Sequence, residues 1–179
     1  MSNTGKQDNK NGRREKCLFY HKVGACRHGK YCSKTHTIPE HPKTIVLRNF
    51  YNKSAQLYEP FDSFYQDVFI QACKYGEVIN MVVCENECDH LNGNVYIKYA
   101  NEESCYKAFE EFNKRWYDGK PIFGELSHVI DFKDSVCLPY DNKSCNRIHD
   151  CNFMHIKRPS YNLKRKLLLA SHKQYLQKT

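Results

Sequence analysis

The chain has 179 residues, a formal net charge of +8 and 40% apolar residues, which suits one ordinary domain with small appendages rather than two large cores. Its longest apolar runs, such as Leu167-Leu168-Leu169-Ala170, fall far short of the roughly 20 residues that cross a bilayer. Met1 to Lys16 lacks the apolar stretch of a secretory signal, so a reducing compartment is expected, and the ten cysteines are better explained by metal than by disulfides.

In chain order, residues 1–16 are rich in Asn, Lys and Gly and read as a disordered basic N-terminus. Residues 17–36 hold a first cysteine cluster, Cys17, Cys26, Cys32 and His36, with spacing C-x8-C-x5-C-x3-H. Thr37 to Pro42, with two prolines, reads as a linker. Residues 43–130 then show secondary-structure periodicity. Thr44 to Phe50 is a β-branched strand. Phe61, Phe64, Tyr65, Val68, Phe69 and Ala72 fall on one face of a helix that Gly76 stops. Val78 to Cys84 is a second strand. Asn92-Gly93 opens a third, in which Val95, Ile97 and Tyr99 alternate with polar or outward positions. Asn101 caps a second helix with Glu102 and Glu103 in its first turn and Cys105, Ala108, Phe109 and Phe112 as its buried stripe. Pro121 to Leu126 closes a four-stranded sheet. This β-α-β-β-α-β order predicts an α+β, ferredoxin-like fold of the RNA-recognition-motif (RRM) type.

Residues 137–155 repeat the first cluster as Cys137, Cys145, Cys151 and His155, spaced C-x7-C-x5-C-x3-H. Three thiolates and one imidazole suit tetrahedral Zn2+ and leave no open position, so two structural zinc ions are expected. Each segment has too few apolar side chains to fold alone, and metal should supply most of its folding free energy, on the order of 10 kcal/mol. Cys73 and Cys105 read as small packing residues, and Cys84, Cys88 and His90 as an incomplete cluster without a fourth ligand. Residues 160–179 read as a basic C-terminal helix with Leu163, Leu167, Leu168 and Leu176.

Charge follows this organisation. Residues 1–42 carry nine Lys/Arg against three Asp/Glu, residues 43–130 nine against 13, and residues 131–179 ten against four. Basic flanks around an acidic centre suit phosphate-facing ends and a middle with a different partner. The strands agree: two of the three positions where a recognition motif places base-stacking aromatics hold Val46 and Asn94, and only Tyr96 remains. The clusters instead interleave Phe19, Tyr20, Tyr31, Tyr140 and Phe153 with Arg27, Lys30, Lys34, Lys143, Arg147 and Lys157, a pattern for stacking unpaired bases while holding phosphates.

Phe19-Tyr20, Gly24-Ala-Cys-Arg-His-Gly29, Tyr75-Gly-Glu-Val78, Asp89-His90, Gly93-Asn-Val-Tyr96, Asn113-Lys-Arg-Trp116, Gly119 and Cys151-Asn-Phe-Met-His155 together resemble the small subunit of the U2 auxiliary factor, which recognises the 3′ splice site in pre-mRNA splicing. The resemblance implies a nuclear, non-enzymatic splicing factor whose central domain is a U2AF homology motif (UHM). That domain would bind a tryptophan-bearing peptide of the large subunit, in a heterodimer, through the loop Arg115-Trp116-Tyr117 and through Asp62 and Asp67 on the first helix of the domain. It also implies that the fingers jointly contact the AG of single-stranded pre-mRNA, with Phe19, Arg27, Ser33, Tyr140, Arg147 and Phe153 as the RNA-contact candidates. Tyr117 stands where the family has Phe, and no Arg/Ser tail follows the second finger. Two other readings are a CCCH-type mRNA regulator that binds AU-rich RNA and a metal-dependent RNA-modifying enzyme; the second needs an open metal position, and the sequence offers none.

Overall fold

Three long strands build the centre of the molecule, whose computed structural model describes residues 14–53 and 60–177. Most of the basic N-terminal segment lies outside the described residues. β1 (Thr44–Leu47), β2 (Val78–Cys84) and β3 (Val95–Tyr99) pair antiparallel with β3 in the middle. β6 (Gly124–Ser127) flanks β1, and β7 (Ile156–Lys157) flanks β2, in the order β6-β1-β3-β2-β7. The fifth strand was not expected: two residues carry no periodicity. Ile156 pairs with Cys84 and Lys157 with Val83 because the second cysteine cluster ends beside β2, where the Glu85 N–H donates to the His155 carbonyl at 2.8 Å.

Period-two alternation divides the strand side chains between two buried faces. Ile45, Leu47, Met81, Val83, Val95, Ile97 and Tyr99 face α2 (Phe61–Cys73) and α3 (Glu102–Phe112), whose Phe64, Val68, Phe69, Ala72, Cys105, Ala108 and Phe112 complete the main core. Asn101 caps α3 as its residue type predicts, accepting from the Ser104 N–H at 2.8 Å. On the other face Val46, Val82, Cys84 and Tyr96 are buried against Val23, Ala25, Val129, Phe132 and Met154. These partners come from the cysteine clusters and the segments beside them, so the sheet is covered on both sides.

The final strand begins three residues later than its pattern suggested. Trp116–Tyr117 (β4) and Lys120–Pro121 (β5) form a separate hairpin around Asp118 and Gly119, both at positive φ (47° and 70°). Two left-handed central residues give the tight turn that matches strand twist, and an Asp-Gly pair tolerates it.

α5 (Tyr161–Leu176) packs Leu167 and Leu168 onto the main core. The Ser160 N–H donates to Asp62 Oδ1 (2.9 Å), the buried Ser171 Oγ accepts from the Val78 N–H (2.9 Å), and His172 pairs with Glu77 (2.7 Å). Ser171→Ala removes the acceptor of a buried N–H and is expected to destabilise the chain by about 1–3 kcal/mol. Urea unfolding checks this, and an unchanged midpoint would mean that α5 does not pin β2.

Candidate metal centres and nucleic-acid interface

The two clusters are built alike. Cys17 and Cys137 each occupy the N-cap of a short helix, α1 (Leu18–Val23) and α4 (Leu138–Asp141). Each cluster is closed by a parallel bridge, Lys16 to Thr35 in the first and Val136 to Met154 in the second. Cys17, Cys26, Cys32 and His36 bring their ligand atoms within 4.8 Å of one another, and so do Cys137, Cys145, Cys151 and His155. The Cys137 and Cys151 sulfurs lie 3.6 Å apart, close to the roughly 3.8 Å between thiolates around a tetrahedral ion at ~2.3 Å.

The imidazoles point the same way. Nε2 of His36 and of His155 is buried and has no hydrogen-bond partner, an arrangement that costs free energy unless a cation takes the lone pair. Each ring is held by a tyrosine three residues after the first cysteine. Tyr20 stacks on His36 (centroids 4.2 Å, planes 5° apart) and Tyr140 on His155 (3.8 Å, 5°). Burial pushes the Cys26 thiol up to about 11 and Cys137 up to about 12, whereas the Lys34 backbone N–H holds the Cys32 thiol below its usual range. These donor sets fit a closed, four-coordinate structural metal. Cys84 and Cys88 form no third cluster among the described residues; the Cys88 thiol instead donates to the Cys151 carbonyl at 3.2 Å.

The fingers meet along a seam that the sequence does not announce. Arg27 of the first finger donates from Nε to Asn152 Oδ1 (2.9 Å) and from Nη2 to the Asp150 carbonyl in the second. Phe19 sets its edge against Phe153, with centroids 6.1 Å apart. Gly24 ends α1 in the left-handed conformation (φ 73°), and a Cβ there would lie 2.6 Å from Ser127 Oγ and 2.9 Å from Tyr96 Cε1, so only glycine lets the finger sit this close to the sheet.

Three of the six RNA-contact candidates, Phe19, Arg27 and Phe153, therefore meet at the seam. Arg147 lines a cleft of about 610 Å³ together with Phe153, Pro139, Cys145 and two further cations, Lys22 and Lys133, that the sequence pattern did not single out. Ser33 is exposed on the first finger. Tyr140 is half-buried, with one ring face on His155 and its hydroxyl 3.2 Å from Glu85 Oε1. The equal spacing of Tyr20 and Tyr140 from Cys17 and Cys137 is the sequence signal for that stack.

The partner-binding candidates gather on the helix side of the sheet. Trp116 is 70% exposed at the hairpin, the Arg115 guanidinium lies 5.9 Å from the Tyr75 ring centre, and Tyr117 packs on Phe50 (4.9 Å) and Phe64 (6.0 Å). Asp67 is exposed on α2, one helical turn from Phe64 and Gln71. Asp62 sits about 140° further round α2, where it caps α5.

No family model matches the chain. The splicing factor U2AF 23 kDa subunit of Schizosaccharomyces pombe is 44% identical over 168 residues, spanning 88% of this chain and 78% of that protein. The chain belongs to the U2AF small-subunit family. The human U2AF 26 kDa subunit is 42% identical over 84% of the chain and 76% of its own length. A U2af small subunit of Arabidopsis thaliana is 38% identical over 86% of the chain and 60% of its own length. These relatives carry the names of splicing factors, a non-enzymatic class. Among solved structures, a redesign of human U1A protein covers 55% of the chain with a TM-score of 0.41 and 20% identity, and 96% of its own length is matched.

The raised thiols set the sign of metal linkage. Near neutral pH Cys26 and Cys137 stay protonated without a cation, so ligation must displace protons and affinity must fall as pH falls. Adding Zn2+ to metal-free protein should release roughly two to three protons per cluster, read with a pH indicator. Release well below one would rule out thiolate ligation.

Proposed function

We propose that this chain is the small subunit of a nuclear heterodimer that recognises 3′ splice sites during pre-mRNA splicing. Its two fingers, each held by a Zn2+ ion, jointly bind single-stranded RNA at the AG, and its RRM-like domain takes a tryptophan-bearing peptide of the large subunit. The observation that carries this reading is the covered sheet. The face on which recognition motifs stack bases is filled by Val23, Val129, Phe132 and Met154. Solvent-accessible aromatic and cationic groups remain on the fingers: Phe19, Arg27, Arg147 and the half-buried Phe153. The relatives' names support the splicing assignment.

Zinc follows from the donors. Three thiolates and an imidazole at tetrahedral spacing favour Zn2+ over harder cations, and the ions act by holding the fingers folded. Arg27, already fixed to Asn152 and Asp150, presents a pre-ordered cation to a phosphate or base edge. Selection of RNA ligands by the zinc-loaded chain from a random single-stranded pool should enrich AG, and affinity should fall steeply between about 50 and 200 mM salt, as phosphate contacts require. Enrichment of UAUUUA would instead support the AU-rich reading, and a flat salt response would leave the basic flanks without a role.

The peptide surface is supported by Trp116, exposed beside a tyrosine wedged on Phe50 and Phe64. A large aromatic held by a rigid hairpin is the kind of residue that dominates an interface. Trp116→Ala is expected to weaken large-subunit peptide binding by over ~2 kcal/mol with zinc content unchanged. Calorimetry of the peptide titration checks it, and wild-type affinity would remove the hairpin from the interface.

A further inference from the structure

α5 carries Lys164, Arg165, Lys166, His172 and Lys173 and no acidic side chain. Its inner face is fixed to the domain by Leu167, Leu168 and Ser171. Arg165, Lys166 and Lys173 are left exposed and make no ion pair among the described residues. Lys164, Arg165 and Lys166 lie in the first two turns, and the first turn holds no acid. The helix macrodipole is positive at that end, so placing Lys and Arg there costs free energy rather than supplying it.

The crowding extends beyond the helix. Arg158 lies just before it, held to Asp141 of the second finger by bonds of 2.8 and 2.6 Å. Burial, and then the Arg158 guanidinium, hold the Lys164 ammonium below the usual lysine range. A polyanion would relieve this repulsion. The site is also adjacent to the second finger. Glu85 links the Tyr140 hydroxyl (3.2 Å) to Lys157 (3.6 Å), three residues before Ser160. Tyr161, 78% exposed, stands one turn before Arg165 and offers a ring to an unpaired base.

We propose that the exposed first turns of α5, through Tyr161, Arg165 and Lys166, are a second single-stranded RNA surface that grips the backbone beyond the nucleotides held by the fingers. It rests on the reading that the fingers bind RNA. Its contacts are to phosphate and to the ring faces of bases, so it is indifferent to sequence and lengthens the footprint without changing the nucleotides selected.

The test uses the zinc-loaded full chain and the variant Arg165→Gln/Lys166→Gln, which removes two charges while keeping good helix formers. Binding is read by fluorescence anisotropy for a short AG-containing RNA of about six nucleotides and one extended by about ten on each side, within the footprint range of such surfaces. The variant should lose about tenfold in affinity for the long RNA at low salt, with its log–log salt slope shallower by about 1.4, or ~0.7 for each phosphate contact on a single strand. Its affinity for the short RNA should match wild type. An unchanged long-RNA affinity, or equal losses on both RNAs, overturns the α5 surface while leaving RNA reading by the fingers intact. Wild-type chain that holds neither RNA overturns both.

Discussion

The structure depends on burial of the second face of the sheet beneath the two fingers. Val46, Val82 and Tyr96 lose contact with water only because Val23, Ala25, Val129, Phe132 and Met154 lie on them. Full burial of an apolar side chain stabilises by about 1.5–3 kcal/mol, yet three of the covering groups, Val23, Ala25 and Met154, belong to cysteine-rich loops with almost no core of their own. Those loops hold their shape through four donors converging on one point, twice over. A cation held by either donor set would therefore be linked to sheet packing, and its loss would loosen the cover of an apolar sheet as well as the loop itself.

This burial redistributes the work of an RRM-like fold. A recognition motif ordinarily offers its sheet to bases; here the sheet is a floor for the fingers, and the remaining platform aromatic, Tyr96, is fully buried. Exposed cationic and aromatic groups lie instead on the finger surface, where Arg27 bridges the two modules. The helix side carries its own exposed aromatic, Trp116. The acidic balance of residues 43–130 and the basic balance of the flanks follow the same division of the chain.

Long, periodic features were legible in the sequence, and relations between distant segments were not. The α2 stripe from Phe61 to Ala72, the Asn101 cap and the alternation of β3 report their own environments, and each segment adopts the conformation it predicts. Both Cys3His groups could be read because the chemistry of cysteine and histidine narrows what a spacing can mean, and the fold brings each set together. β7 could not be read, since two residues show no period and their pairing depends on where the second finger ends. The Arg27 seam was hidden for a related reason: its partners lie 123 and 125 residues away. Asp62 and Asp67 look equivalent as two acids on one helix, but their angular separation places one under α5 and leaves the other beside Phe64 and Gln71.

The fingers are alike in construction but differ in attachment, and that difference fixes their geometry. The first sits down through Gly24, whose missing side chain admits Tyr96 and Ser127. The second is anchored by its own exit, which becomes β7 and pairs with β2, while Asn86 donates to the Phe153 carbonyl at 2.9 Å and accepts from the His155 N–H at 2.8 Å. Each module is thus referenced to the same rigid sheet, and the direct contacts between them through Arg27 and Phe153 have only to close a gap already set. Two small zinc-type loops joined by a flexible linker would incur an ordering cost on meeting one ligand together. Here that cost is met when the chain folds, so the spacing of the two finger surfaces becomes a property of the domain.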